Sequence, residues 1–217
     1  MMAQNKAERP PARLVLITPL IGEAGAFSHL LSAASAAGDI AAVIARFSPA
    51  GDAELSARAR ALLPLVQEKN IAFLLQDRAD LAVKIGADGA HLSGTQSLRD
   101  ALPILKPKLI AGAGGLVTRD DAMSAGEAGA DYVMFGEPDA AGKFPSLQAI
   151  VERVTWWAEI FEVPCVAFAE TADQAALLAR TGADFIALSA AVWNDRERVE
   201  TVIAEAAARI SAPERIA

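Results

Sequence analysis

The sequence predicts an α/β fold, a single (β/α)8 barrel of the TIM type, and three observations carry that expectation. Gly-Ala-Asp followed by an apolar run occurs three times, at 86–92, 129–135 and 182–188. Its glycines, Gly86, Gly129 and Gly182, can take the left-handed conformation that stops a helix, and the run behind each has the length of a buried strand. Counted along the whole chain, eight apolar runs alternate with helical stretches, with no antiparallel hairpin signal among them. Finally, 217 residues, 53% of them hydrophobic, suffice for one large core near the lower size limit of such a barrel. An open doubly wound sheet is the alternative for the same alternation.

The first strand is expected at 13–18, with a helical pattern at 24–37 behind it; the second unit is 40–46 and 53–69. The run 71–75 leads into a short helix at 78–85, which Gly86 closes, and strand 88–92 follows directly. Helix 97–105, strand 108–112 and helix 119–128 come next, the last closed by Gly129. Strand 131–135 and the long helix 146–161 form the sixth unit, and strand 164–168 with helix 172–180 the seventh. Gly182 then turns the chain into strand 184–188 and a final helix at 196–210. No linker divides the chain, so one domain is expected over 13–211, with tails at 1–12 and 212–217.

A formal charge of −7 opposes general affinity for nucleic acid or anionic lipid, while a local cationic pocket could still hold a small phosphorylated substrate. Charges and glycines interrupt every apolar run short of the roughly 18 residues a membrane span needs, and the polar start has no leader-like apolar stretch, so cytoplasm is the default. Cys165 sits in an apolar run and reads as core. With one cysteine and two histidines, His29 and His91, no structural zinc set can be assembled, and a metal would be oxygen-bound. A homo-oligomer is left open; Trp156-Trp157 could support subunit contact, although core packing is the better reading.

In a barrel of this kind chemistry belongs at the C-terminal ends of the strands. There the sequence places Arg46, Gln76-Asp77-Arg78, Gly114-Gly115, Gly136-Glu137 through Lys143, and Ser189. Cations, hydroxyls and small residues are what a phosphate site requires, and the glycine-rich stretch 111–115 could present N–H groups to an anion, though tight-turn geometry explains it equally well. Asp77-Arg78 could also simply cap and start the third helix.

These segments resemble the thiamine phosphate synthase and thiazole tautomerase (TenI-like) superfamily from Leu14 to about Val192. The most distinctive piece is Asp77-Arg78 followed by Gly-Ala-Asp-Gly-Ala-His-Leu at 86–92, supported by Leu-Val-Leu-Ile-Thr at 14–18 and by the segments 128–136 and 186–191. The resemblance implies a barrel that joins a pyrimidine pyrophosphate, with Mg²⁺, to a phosphorylated thiazole, giving thiamine phosphate and pyrophosphate. It assigns catalysis to Arg46, Asp77 and Lys143, the Mg²⁺ to Asp77, and phosphate contacts to Arg78, Gly114, Gly115, Gly136 and Ser189. His91 is implied to be a packed family histidine.

Several family positions differ here. The strand-two Gln-x-Arg-x-Lys keeps Arg46 but reads Ile44 and Ser48 at its ends; the second Mg²⁺ carboxylate falls on Gln96; the strand-five Ser and His become Gly114 and Leu116; and the strand-seven Gly-Gly becomes Ala169-Glu170. A unit negative charge about 4 Å from a phosphate costs on the order of 4 kcal/mol at an effective dielectric near 20, so Glu170 is expected to oppose a thiazole phosphate. Two functions follow: a synthase with reduced equipment, or a divergent paralogue that binds another phosphorylated molecule or regulates. An aldolase or epimerase would need a lysine or paired-carboxylate signature that this pattern lacks.

Overall fold

The computed structural model describes residues 10–139 and 141–211, and within them eight parallel strands close into a barrel in sequence order. The strands are β1 (Arg13–Ile21), β2 (Ile40–Phe47), β3 (Ala72–Gln76), β4 (Gly89–Ser93), β5 (Ile110–Gly114), β6 (Tyr132–Phe135), β7 (Cys165–Ala169) and β8 (Phe185–Leu188). Around them lie α1 (Ala24–Ala34), α2 (Asp52–Gln67), α3 (Ala79–Ile85), α4 (Thr95–Leu105), α5 (Arg119–Ala128), α6 (Leu147–Ile160), α7 (Ala172–Ala179), α8 (Ala190–Trp193) and α9 (Val199–Ser211). Closure rules out the open doubly wound alternative. The tails expected at 1–12 and 212–217 lie outside the described residues except for 10–12.

Every expected strand and helix is present, with shifts at the ends. β1 continues past the expected Thr18 because an irregularity between Ile17 and Leu20 lets Leu20 and Ile21 pair with Arg46 and Phe47 of β2. The short α8 was not expected, and α9 starts later than 196.

Two apolar layers hold the barrel. Inside, Val15, Ile17, Ile44, Leu74, Met134 and Phe168 fill the interior as packed side chains. Outside, residues such as Leu16, Leu62, Phe73, Phe135 and Trp157 are sealed between strands and helices.

The Gly-Ala-Asp repeats prove to be joints between neighbouring strands. Gly86 and Gly129 take positive φ at the ends of α3 and α5. The aspartate after each turn then clasps one residue of the preceding strand by both backbone groups. Asp88 donates its N–H to the Phe73 carbonyl (3.0 Å) and accepts the Phe73 N–H on its carboxylate (2.7 Å). Asp131 does the same to Ala111 (2.9 and 2.7 Å), and Asp184 to Cys165 (3.0 and 2.8 Å). Asp39, in front of β2, reaches the β1 side differently: its carbonyl accepts from the Leu14 N–H, and its carboxylate pairs with the Arg13 guanidinium at 2.7 Å.

Candidate functional site

The C-terminal ends of the strands open on a cavity of about 740 Å³. Arg46, at the end of β2, reaches it in a fixed pose: its Nε donates to the Thr18 carbonyl (2.7 Å) and its backbone N–H to Thr18 Oγ1 (2.9 Å). Ser189, Gly115 and Gln76 also line it, and Phe144 and Phe168 stack beside each other with ring centres 5.6 Å apart. Burial lowers the Arg46 guanidinium from its ordinary value, and the charge of Glu137 works against that shift.

The expected site residues divide between this cavity and its surroundings. Arg46, Gly115 and Ser189 face it. Lys143 lies in an adjoining pocket of about 240 Å³ with Gly136 and Arg153, on a loop clipped by Asp139, whose carboxylate accepts the Lys143 N–H at 2.9 Å. Arg78 lies outside the cavity lining, its guanidinium paired with Asp52 (2.9 Å) and Asp80 (3.0 Å). Asp77 is exposed on a separate shallow groove; its carboxylate accepts the Ser93 N–H (2.7 Å) and O–H (2.8 Å). The helix-capping reading of Asp77 does not hold, because Arg78 occupies the N-cap of α3 and Asp77 has φ of 53°. Glu170 is exposed and does not line the cavity.

Two carboxylates do line it: Asp139, whose carboxylate is taken up by the Ala141 and Lys143 N–H groups of its own loop, and Glu137, which the sequence did not single out. It follows Gly136 at the end of β6, and its side chain is only 16% exposed. One oxygen lies 3.1 Å from His91 Nε2, and the other accepts the Gly115 N–H at 2.9 Å. His91, buried on β4, places Nδ1 2.8 Å from the Tyr132 hydroxyl. An ionised Glu137 can only accept, so Nε2 donates to it. The N–H of Gly115, expected to be offered to a phosphate, is thus held by an anion of the chain itself.

Burial acts to raise the Glu137 carboxyl, but the attraction and hydrogen bond of His91, the Gly115 N–H and the charge of Arg46 outweigh it and leave it below the ordinary carboxylate value. Burial, with Glu137 and Asp131 adding to it, pushes the Tyr132 phenol well above its ordinary value. A carboxyl depressed in the folded state contributes stability that is complete above its unfolded pKa, about 4.3, and is lost as pH falls through the folded value. Glu137→Gln should therefore flatten the acid side of the melting temperature profile below about pH 5; a slope equal to wild type would show the carboxylate is not held this way.

Mg²⁺ finds few protein ligands. Among the described residues no group of three His, Cys, Asp or Glu side chains gathers to hold a metal, and Gln96 donates its amide to Asp100 (2.9 Å). Each Asp77 oxygen keeps a lone pair, so this donor set fits Mg²⁺ only as an ion whose other ligands are substrate oxygens and water. Among the described residues no helix is long and apolar enough to cross a membrane.

A family model described as thiamine monophosphate synthase matches residues 14–192. A thiamine-phosphate synthase of Rhodospirillum centenum is 43% identical over 84% of this chain and 89% of its own length. One of Hyphomonas neptunium is 36% identical over 90% of this chain and 92% of its own. Among solved structures, a thiamine phosphate pyrophosphorylase from Pyrococcus furiosus superposes with a TM-score of 0.77 at 27% identity, covering 91% of this chain and 95% of that one. A 3-hexulose-6-phosphate synthase, 13% identical with a TM-score of 0.69 over 91% of this chain and 99% of that one, shares the fold.

Proposed function

The chain belongs to the thiamine monophosphate synthase family, and from that premise we propose that it joins hydroxymethylpyrimidine pyrophosphate to thiazole phosphate in the cytoplasm. The observation that carries the reading is Arg46, anchored on Thr18 and presented to a cavity large enough for two small heterocycles. In the proposed reaction the bond between the pyrimidine methylene and the pyrophosphate oxygen breaks, and its electron pair leaves with the pyrophosphate. The thiazole nitrogen then donates its lone pair to the methylene cation, closing the new C–N bond without a proton transfer.

The work left to the protein is charge stabilisation and alignment. Arg46 faces the departing oxygens, and Lys143, one pocket away, adds a second cation at the rim. Ser189 offers a hydroxyl to the thiazole phosphate, while Gly136, at φ of 99°, turns the chain out of β6 where a Cβ would lie 2.9 Å from Ile150 Cδ1 of the packed outer layer. Phe144 and Phe168 form an apolar wall for a heterocycle. Mg²⁺ carried on the pyrophosphate would neutralise leaving-group charge, and Asp77, outside the cavity lining but bonded to Ser93 on it, would be its protein ligand at the edge.

Purified protein incubated with both substrates and Mg²⁺ should form thiamine phosphate; none from folded protein at high concentration would overturn the assignment. Asp77→Ala should lower turnover at least tenfold and raise the Mg²⁺ concentration needed for half-maximal rate. An unchanged Mg²⁺ titration would remove Asp77 from that role. The second reading, a barrel turned to another phosphorylated ligand or to regulation, is favoured by one observation, the Glu137 carboxylate on the Gly115 amide. It gains if product is absent.

A further inference from the structure

Opposite charges face each other across the mouth of the barrel. Arg46 ends β2 and Glu137 follows β6, four strands away in a closed ring of eight, and both line the same cavity. Such a site matches a ligand that is anionic at one end and offers N–H donors at the other. We infer that Glu137 is the specificity-determining acceptor that selects an amino-bearing pyrimidine, its carboxylate receiving an N–H of the ring's exocyclic amine. The inference rests on the synthase reading for the identity of the ring.

Three features of the chain build this acceptor. Space comes first: a Cβ at Gly114 would fall 2.1 Å from a Glu137 carboxylate oxygen and 2.3 Å from His91 Nε2, so only glycine there admits the carboxylate. Orientation comes second, because His91 holds one oxygen, the Gly115 amide the other, and Tyr132 fixes the far side of the imidazole. Each oxygen then retains a lone pair, and the side chain remains partly open to the cavity. Third, the site stays acceptor-only while Glu137 is ionised, so a ring carrying a carbonyl in place of the amine sets one acceptor against another.

The test is calorimetric binding of hydroxymethylpyrimidine pyrophosphate and of its oxo counterpart, in which a carbonyl replaces the amine, with Mg²⁺ held constant. Wild-type protein should prefer the amino form at least tenfold. Glu137→Gln, which is isosteric but brings a donor, and Glu137→Asp, which retracts the carboxylate, should each lose that preference while keeping the wild-type circular dichroism spectrum. Gly114→Ala should lose it too, because its methyl displaces the carboxylate. Equal binding of both ligands by wild type, binding of neither, or retained preference in folded Glu137→Gln would overturn the inference. Preference without any thiamine phosphate formed would instead sink the synthase reading and leave the amino-selective acceptor standing.

Discussion

Arg46→Ala is expected to lower thiamine phosphate formation at least tenfold while shifting the melting temperature by only a few degrees. The guanidinium is partly desolvated, which lowers it from its ordinary value and strengthens every Coulomb contact it makes. At an effective dielectric near 20 a unit charge 4 Å from a developing pyrophosphate oxygen is worth about 4 kcal/mol, and a differential of about 1.4 kcal/mol between ground and transition state already gives tenfold. The cost to the fold is smaller. Thr18 loses one donor to its carbonyl, worth about 1 kcal/mol, or roughly 2–4 °C for a chain of this size. Arg46→Lys should recover part of the rate, since it restores the charge but not the planar fork that bonds Thr18. Turnover equal to wild type in Arg46→Ala would remove the cation on which the proposed chemistry depends.

The second large effect belongs to the fold. Gly89→Ala should lower the melting temperature by about 10 °C or more, or prevent folding. A Cβ at Gly89 would lie 2.1 Å from the backbone carbonyl oxygen of Ile110 on the adjacent β5. No rotamer relieves a clash with backbone. Relief requires moving β4 from β5 where the Ile110 N–H donates to the Asp88 carbonyl at 2.8 Å, a disruption on the order of 4 kcal/mol. Gly25→Ala is the contrasting substitution: in α1, with nothing within 4 Å of the added carbon, it should be neutral or stabilise by up to about 1 kcal/mol. Matching melting temperatures for the two variants would contradict the packing described for β4 and β5.

The barrel was legible because its signals are periodic. Apolar runs recur at every unit and a Gly-Ala-Asp joint at three of them, and their sum outweighs any local ambiguity. α8 escaped because Ala-Ala-Val-Trp is too short to show a period, and the end of β1 because Pro19 interrupts a run that resumes across an irregular register. The site was legible only in part. Arg46 and Ser189 reach the cavity because a strand's end fixes where its side chains point. Asp77, by contrast, turns to Ser93 from a left-handed backbone position that its neighbours in sequence do not announce. Glu137 was missed because its meaning is complementary in three dimensions: it needs the vacancy at Gly114, 23 positions earlier in the chain, and the imidazole of His91. The available signal was a serine position reduced to glycine at Gly114 together with an acidic residue just after Gly136, at the end of another strand.

The aspartate clasps set the grain of the molecule. Asp39, Asp88, Asp131 and Asp184 each tie an even-numbered strand back to the odd-numbered one before it. The ring of eight is accordingly a ring of four doublets, each stitched within one contiguous stretch of chain. Severing the chain ahead of β3, β5 or β7 would leave all four stitches inside unbroken segments, whereas severing it ahead of β4, β6 or β8 would leave one stitch to be made between separate ends. The joints of this barrel lie between doublets, and rearrangements of its sequence should respect units of two.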